Sequence, residues 1–211
     1  MTTTLIIPCY WKNLELLHMT QDCLDSIKEP LDEIIIVDDG SPIDWEPPRD
    51  SSYTLIATVQ NNGYSKAVNK ALRASTGDIL IVGNNDLTFP RKWLKQLVRA
   101  LEEGFDIATC WTSDQDVKLE DRIEENAKFG SIFAMKREVY EKLGGFDEQF
   151  RGYFSDLDYR KRAMDAGFKI GKDLNLVIKH KAKATYKEID AKDEEYLTAS
   201  RLFEAKWGFI E

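Results

Sequence analysis

The stretch that most constrains this chain is ILIVGNND, residues 79–86. Four apolar residues in a row, from Ile79 to Val82, carry no polar alternation, and neither does IIIV at residues 34–37. A strand with one wet face alternates apolar and polar side chains, whereas a strand covered on both faces does not. These runs therefore predict strands inside a sheet with helices packed on both sides. Each run also stops abruptly in hydrogen-bonding side chains, Asn84-Asn85-Asp86 after one and Asp38-Asp39-Gly40-Ser41 after the other. A strand buried on both faces that ends in such groups delivers them to one edge of the sheet.

The segments between the strands read as helices. Residues 12–28 carry Leu14, Leu17, Leu24 and Ile27 at helical spacing. Residues 64–75 put Ala67, Val68, Ala71 and Leu72 on one face and Lys66, Asn69, Lys70 and Arg73 on the other. Further strands are expected at 4–8, 54–59, 106–111, 129–135 and 174–179, and further helices at 92–102, 136–143 and 156–166. Residues 112–128 have no apolar period and read as an exposed loop, and Gly144-Gly145 marks a turn. A last helix from about residue 191 sets Tyr196, Ala199, Phe203 and Trp207 on one side. Alternating strands and helices predict an α/β domain of three layers, with a mainly parallel central sheet flanked by helices.

At 211 residues the chain suits one such domain, 1–211, which could also be one domain of a longer protein. Its 29 basic and 37 acidic residues leave a net charge of −8, which argues against nucleic acid or an anionic membrane surface as the main partner. Cys9, Cys23 and Cys110 are odd in number and widely spaced, with no C-x-x-C, so neither a disulfide framework nor a zinc cluster is expected. No apolar run approaches the ~18 residues of a membrane span, and the N-terminus has neither a charged leader nor a signal-like apolar region. These features predict a soluble, cytoplasmic protein.

In open α/β sheets, ligands lie beyond the carboxyl ends of the parallel strands. Pro8-Cys9-Tyr10-Trp11, Asp38-Asp39-Gly40-Ser41, Asn61-Asn62-Gly63-Tyr64 and Asn84-Asn85-Asp86 stand at those ends in succession. Each alone is ordinary turn chemistry, but four on one edge make a candidate site. The loop after the first strand has no glycine, which disfavours a nucleotidyltransferase with its glycine-rich, arginine-bearing triphosphate loop. Neither G-x-G-x-x-G nor G-x-x-x-x-G-K-[ST] occurs, which argues against a dinucleotide oxidoreductase and a P-loop enzyme.

The segments LIIPCY, IIIVDDGSP, NNGYSKAVNKAL, ILIVGNNDLTFP, GGFDEQF and FSDLDYRKRAMDAGF follow one another in an order that resembles the nucleotide-sugar glycosyltransferases of the GT-A type, family 2 above all, over roughly residues 3–180. The resemblance implies a Rossmann-like GT-A fold. With the order of the strands it sets a nucleotide-sugar half in about residues 1–90 and an acceptor half in 105–180, ahead of the C-terminal helix expected in 190–211. It also implies a UDP-sugar donor, a glycan or glycoprotein acceptor, and Mn²⁺ or Mg²⁺ as cofactor. On the matching positions, Pro8 and Tyr10 would lie against the nucleobase, Asp38 and Asp39 would contact uracil or ribose, and Asn62 and Lys66 would flank the base and diphosphate. Asn84-Asn85-Asp86 stands at the D-x-D position, with Asp86 as the metal ligand and His180 near the metal or phosphates. Asp156 matches an aspartate near the acceptor, and Asp158 competes with it for the role of catalytic base. The sequence departs from the family pattern twice: Asn84 replaces the first aspartate of D-x-D, and Ser155-Asp156 stands where the pattern has Glu-Asp.

The chemistry explains these residue types. Breaking the bond between the anomeric carbon and the diphosphate builds negative charge on the leaving phosphate, which a hard divalent cation with oxygen ligands neutralises. One carboxylate, Asp86, suffices as an anionic ligand because the diphosphate brings charge of its own. A carboxylate beside the acceptor, Asp156, takes the proton of the attacking hydroxyl. Plainer readings stand beside these. Residues 84–86 also fit an Asx turn, Asp38-Asp39-Gly40-Ser41 a plain turn, Asp156 an N-cap, Lys66 a solvated lysine and His180 a packed histidine. Trp11, Trp45, Trp93 and Trp111 fit core packing better than sugar stacking, whereas Phe146, Phe150, Tyr153 and Phe154 form an aromatic run able to wall an acceptor site. A protein that binds a sugar nucleotide without transferring it is the non-enzymatic alternative.

Overall fold

A computed structural model of the chain describes residues 1–47, 52–181 and 192–208. The strands are β1 (Thr3–Cys9), β2 (Glu33–Asp38), β3 (Tyr53–Ala57), β4 (Ile79–Gly83), β5 (Leu87–Thr88), β6 (Ile107–Thr112), β7 (Ile123–Glu125), β8 (Ile132–Lys136) and β9 (Ile170–His180). The helices are α1 (Leu14–Ser26), α2 (Tyr64–Ala74), α3 (Trp93–Glu102), α4 (Arg137–Leu143), α5 (Ser155–Asp165) and α6 (Lys192–Trp207). The sheet runs β3-β2-β1-β4-β8-β6-β9-β5, with β7 also paired to β9. Its first four strands are all parallel, so β1, β2, β3 and β4 end on the same edge. Antiparallel pairing enters where β8 is inserted between β4 and β6, and where β5 and β7 flank β9.

The absence of polar alternation has the expected consequence. Leu5 and Ile7 of β1, Ile34 and Ile36 of β2, and Ile79 and Ile81 of β4 pack against α1 and α3 through Leu17, Cys23, Trp93 and Leu97. The alternate residues Ile6, Ile35, Val37, Leu80 and Val82 pack on the other face against α2, α4 and α5 through Val68, Leu72, Val139 and Tyr159. A third cluster stands apart from both: Phe150 and Phe154 meet Ala199 and Phe203 of α6. Of the expected C-terminal helix, residues 190–191 and 209–211 lie outside the described residues.

Three features differ from the sequence reading. Residues 112–128 are not entirely loop, because β7 adds to β9; at three residues it is too short to show a period. β9 begins at Ile170 rather than 174, and two-residue β5 joins its far end. Asn69 is buried rather than solvated. Its amide donates to the Phe146 carbonyl at 2.9 Å while its oxygen accepts from the Phe146 N–H at 2.7 Å. That pairing also explains Gly145, where a Cβ would stand 2.1 Å from Asn69 Oδ1.

Candidate active site

The parallel edge opens into a cleft of about 470 Å³. On one side stand the strand ends: Pro8, Cys9 and Tyr10 at the end of β1, Asp39 after β2, Asn61 and Gly63 after β3, and Asn84 and Asn85 after β4. The opposite side is formed by Arg151 through Asp156, with Glu195 from α6. Tyr64, Phe129, Gly130 and Ser131 also line it. Of the residues expected on the first side, Pro8, Tyr10, Asp39, Asn84 and Asn85 line the cleft, whereas Asp38, Asn62, Lys66, Asp86 and His180 do not.

Asp39 is buried, and its carboxylate organises the strand-end side. Oδ2 accepts from the backbone N–H of Asn62 at 2.9 Å and of Gly63 at 2.7 Å, and Oδ1 accepts from Thr58 Oγ1 at 3.2 Å. The loop that opens α2 is thus tied to the end of β2. Gly63 has φ +92°, and a Cβ there would stand 2.9 Å from the Arg151 carbonyl oxygen, so the two sides of the cleft touch at a point only glycine fits. Asp38 turns to the turn chemistry: its Oδ1 accepts the Ser41 N–H at 2.9 Å, and it does not line the cleft. Asn62 contributes its backbone, while its side-chain amide donates to the Gln60 carbonyl at 2.6 Å. Lys66 is exposed on α2 away from the cleft lining.

After β4, Asn85 donates its amide to Thr20 Oγ1 of α1 at 2.8 Å, which fixes the turn from below. Asp86 is 6% exposed. The pairing of β5 with β9 sets Leu87 opposite His180, and so brings the imidazole to the aspartate. Asp86 Oδ1 lies 3.1 Å from His180 Nε2 but has no well-directed hydrogen bond from any group among the described residues. His180 also meets Ser131 Oγ, 3.0 Å from Nδ1, and Ser131 reaches the cleft. A buried carboxylate oxygen without a donor beside an imidazole nitrogen is a donor set that fits a divalent cation. Among the described residues no cluster of three or more metal-binding side chains exists, so a cation there would take its remaining ligands from outside these residues.

On the opposite side the two aspartates of α5 separate. Asp156 lines the cleft and is half-buried. Burial pushes its carboxyl above the ordinary range, against backbone N–H bonds at Leu157 and at its own residue that pull it down. Asp158 is fully buried and lies outside the cleft lining. Its Oδ2 accepts from Arg162 Nε at 2.9 Å, and its Oδ1 accepts from Trp207 Nε1 at 2.9 Å with Lys206 Nζ at 2.7 Å. Asp158 is therefore a structural anion, and of the two candidate bases Asp156 alone faces the cleft. Of the aromatic run, Tyr153 and Phe154 reach the cleft, whereas Phe146 and Phe150 are core. Trp11 and Trp93 are core as well. The sequence reading missed Arg151, Ser131 and Glu195. Arg151 and Ser131 sit beside segments it did single out, but nothing in the sequence brings Glu195 to this place.

An α/β sheet with this edge and this cleft has the GT-A fold of glycosyltransferases. The structure is similar to that of TarS residues 1–349 from S. aureus in complex with UDP-GlcNAc, with a TM-score of 0.68, 15% identity, and coverage of 98% of this chain and 66% of that one. It is also similar to the mannosyltransferase PcManGT from Pyrobaculum calidifontis in complex with GDP-Man and Mn²⁺, with a TM-score of 0.61, 19% identity, and coverage of 99% and 76%. The family model of glycosyl transferase family 2 matches residues 4–160, and the chain belongs to that family. Among curated relatives, a dolichol-phosphate mannosyltransferase of Pyrococcus furiosus is 33% identical over 116 residues, 51% of this chain and 32% of that protein. An undecaprenyl-phosphate 4-deoxy-4-formamido-L-arabinose transferase of Pseudomonas syringae is 27% identical over 124 residues, 54% of this chain and 36% of that protein. The match thus spans about a third of each curated relative. Among the described residues, no helix is long and apolar enough to cross a membrane.

Proposed function

We propose that the chain is a metal-dependent hexosyltransferase that moves a hexose or deoxyhexose from a UDP-sugar to a hydroxyl of a saccharide or glycoprotein glycan. The observation that carries this reading is the placement of Asp156, with its burial-raised carboxyl, across one cleft from the strand ends that hold Asp39 and Asn84. A carboxylate whose pKa is raised toward the working pH is a better proton acceptor. Pro8 and Tyr10 bound the nucleobase, and Asp39 fixes the loop at Asn62 and Gly63 against which uracil and ribose lie. Asn84 and Asn85 stand beside the diphosphate. Asp86 and His180 would hold Mn²⁺ or Mg²⁺, which when bound neutralises charge on the departing UDP. Asp156 accepts the proton of the attacking hydroxyl, and Tyr153 and Phe154 give apolar faces to the acceptor sugar. Residues 1–90 form the donor half and 105–180 the acceptor half of one domain. Three buried, unpaired cysteines suit a reducing compartment such as the cytoplasm.

Calorimetric titration with UDP, GDP and CMP in Mn²⁺ tests the donor, and release of UDP from UDP-sugars with and without EDTA tests the chemistry. UDP is expected to bind most tightly, and turnover to need the metal. Equal affinity for the three nucleotides would remove the uracil assignment. Tight binding with no turnover would favour the non-enzymatic alternative.

A further inference from the structure

Asp156 is the second residue of α5, so its aim depends on the turn that starts the helix. That turn is unusual. Phe154 has φ +64°, a left-handed conformation rare for a bulky side chain, and no side chain caps the helix there. Such a conformation persists only where its surroundings fix it. Here the surroundings come from α6. The Phe154 ring packs on Tyr196 at 5.3 Å and on Phe203 at 5.5 Å, and Tyr153 stands edge-on to Tyr196 at 5.2 Å. One turn into α5, Asp158 Oδ1 receives Trp207 Nε1 and Lys206 Nζ. Lys206 Nζ also reaches Asp147 Oδ2 at 2.7 Å. Burial pulls the Lys206 pKa down, but its bonds to Asp147 and Asp158 outweigh this and raise it, so the ammonium is a fixed charge. Every contact named here joins α6 to residues 147–158, and all of α6 lies beyond residue 160, where the family match ends.

We propose that α6 is a positioning element for transfer: Trp207 and Lys206 hold Asp158, and Tyr196 and Phe203 hold Phe154, so that the start of α5 aims Asp156 at the acceptor hydroxyl. Trp207 and Lys206 are positioning residues, since neither lines the cleft. The inference rests on Asp156 being the base, and the test separates the two. Trp207→Phe keeps an aromatic ring and removes the indole N–H; Lys206→Met keeps the stem and removes the charge. Each is made alone and combined with Asp156→Asn, and turnover at saturating UDP-sugar and acceptor, UDP affinity and melting temperature are measured. Each single variant is expected to lower turnover about tenfold, because small misplacements of a reacting group are costly, with UDP affinity within about twofold. In the Asp156→Asn background neither should lower turnover further by more than about twofold, because the group they position is gone. Unchanged turnover in both folded single variants overturns the proposal. A fall in turnover matched by lost UDP affinity also overturns it, since that marks general loosening of the domain. If Trp207→Phe fails to fold, Lys206→Met decides. Full turnover in Asp156→Asn itself removes the base assignment, and the positioning role with it.

Discussion

On the strand-end side of the cleft, Asp39 reaches 23 and 24 residues along the chain to hold the N–H groups of Asn62 and Gly63, and the strands that carry these groups are hydrogen-bonded neighbours in the sheet. On the opposite side, Asp158 is held by Trp207, 49 residues away, and the helix that supplies it belongs to neither of the two main cores. The first side is a product of backbone topology: once parallel strands pair, their ends converge. The second is built by side chains. The strand-end side should therefore tolerate change at a distance, whereas the opposite side should respond to residues that lie outside the cleft.

The sharpest way to break this comparison is to remove one anion from each side. Asp156→Asn should lower turnover by ~10² or more, the scale of losing a general base, while UDP affinity stays within about threefold. Turnover at saturating donor, with a UDP titration of the same variant, measures both. Lost UDP affinity would place Asp156 in the donor site or the fold, and the division between the two sides would fail. On the other side, Asp86→Ala should reduce Mn²⁺-dependent UDP binding by more than about tenfold, roughly the effect of losing a charged hydrogen-bonding or metal-binding group. Asn84→Ala should reduce it less, because only Asp86 is anionic in that triplet. Titration with UDP in Mn²⁺ and in EDTA separates the two, and an Asp86→Ala variant that binds Mn²⁺-UDP like the parent would leave residues 84–86 as a turn.

Asp39→Ala sharpens the comparison on the strand-end side at a smaller scale. It strands two backbone N–H groups at a cost of about 1–3 kcal/mol each, so the melting temperature should fall by several degrees, at roughly 2–4 °C per kcal/mol for a chain of this size. UDP binding should weaken with it. An unchanged melting temperature would mean that the loop at Asn62 and Gly63 is held by other contacts.

The smallest effect is one of pH. Burial raises the Asp156 pKa, so turnover should fall on the acid side at a pH above the usual carboxylate range as the base takes up its proton. The sign for stability is opposite to that of a paired aspartate. The folded state binds this proton more tightly than the unfolded state, so the stability gained is full below the unfolded pKa and lost as pH rises through the folded one. Above that point the ionised, half-buried carboxylate disfavours folding. Asp156→Asn should therefore melt slightly higher than the parent at neutral pH, with the difference shrinking in acid. A variant that melts lower at neutral pH would mean that ionised Asp156 is paired in the fold.

The runs at 34–37 and 79–82 were enough to place β2 and β4 inside a sheet covered on both faces, because a residue's environment on a doubly buried strand is written in its own side chain. These runs, with that at 4–8, located Pro8, Tyr10, Asp39, Asn84 and Asn85 at the cleft, since topology carries strand ends to one edge. The sequence alone could not divide Asp156 from Asp158. Both are acidic residues in the first turn of one helix, and the choice depends on which face α6 covers. The family resemblance set Asp86 and His180 near one metal, but their contact is made by two-residue β5 pairing with the end of β9, which neither segment's own pattern shows. Glu195 and the left-handed turn at Phe154 were equally hidden. Local pattern determines what each strand and helix buries, whereas contacts between segments that are distant along the chain are set only when all the layers have packed. That is why the strand-end side of the cleft was legible in the sequence and the opposite side was decided by the tertiary structure.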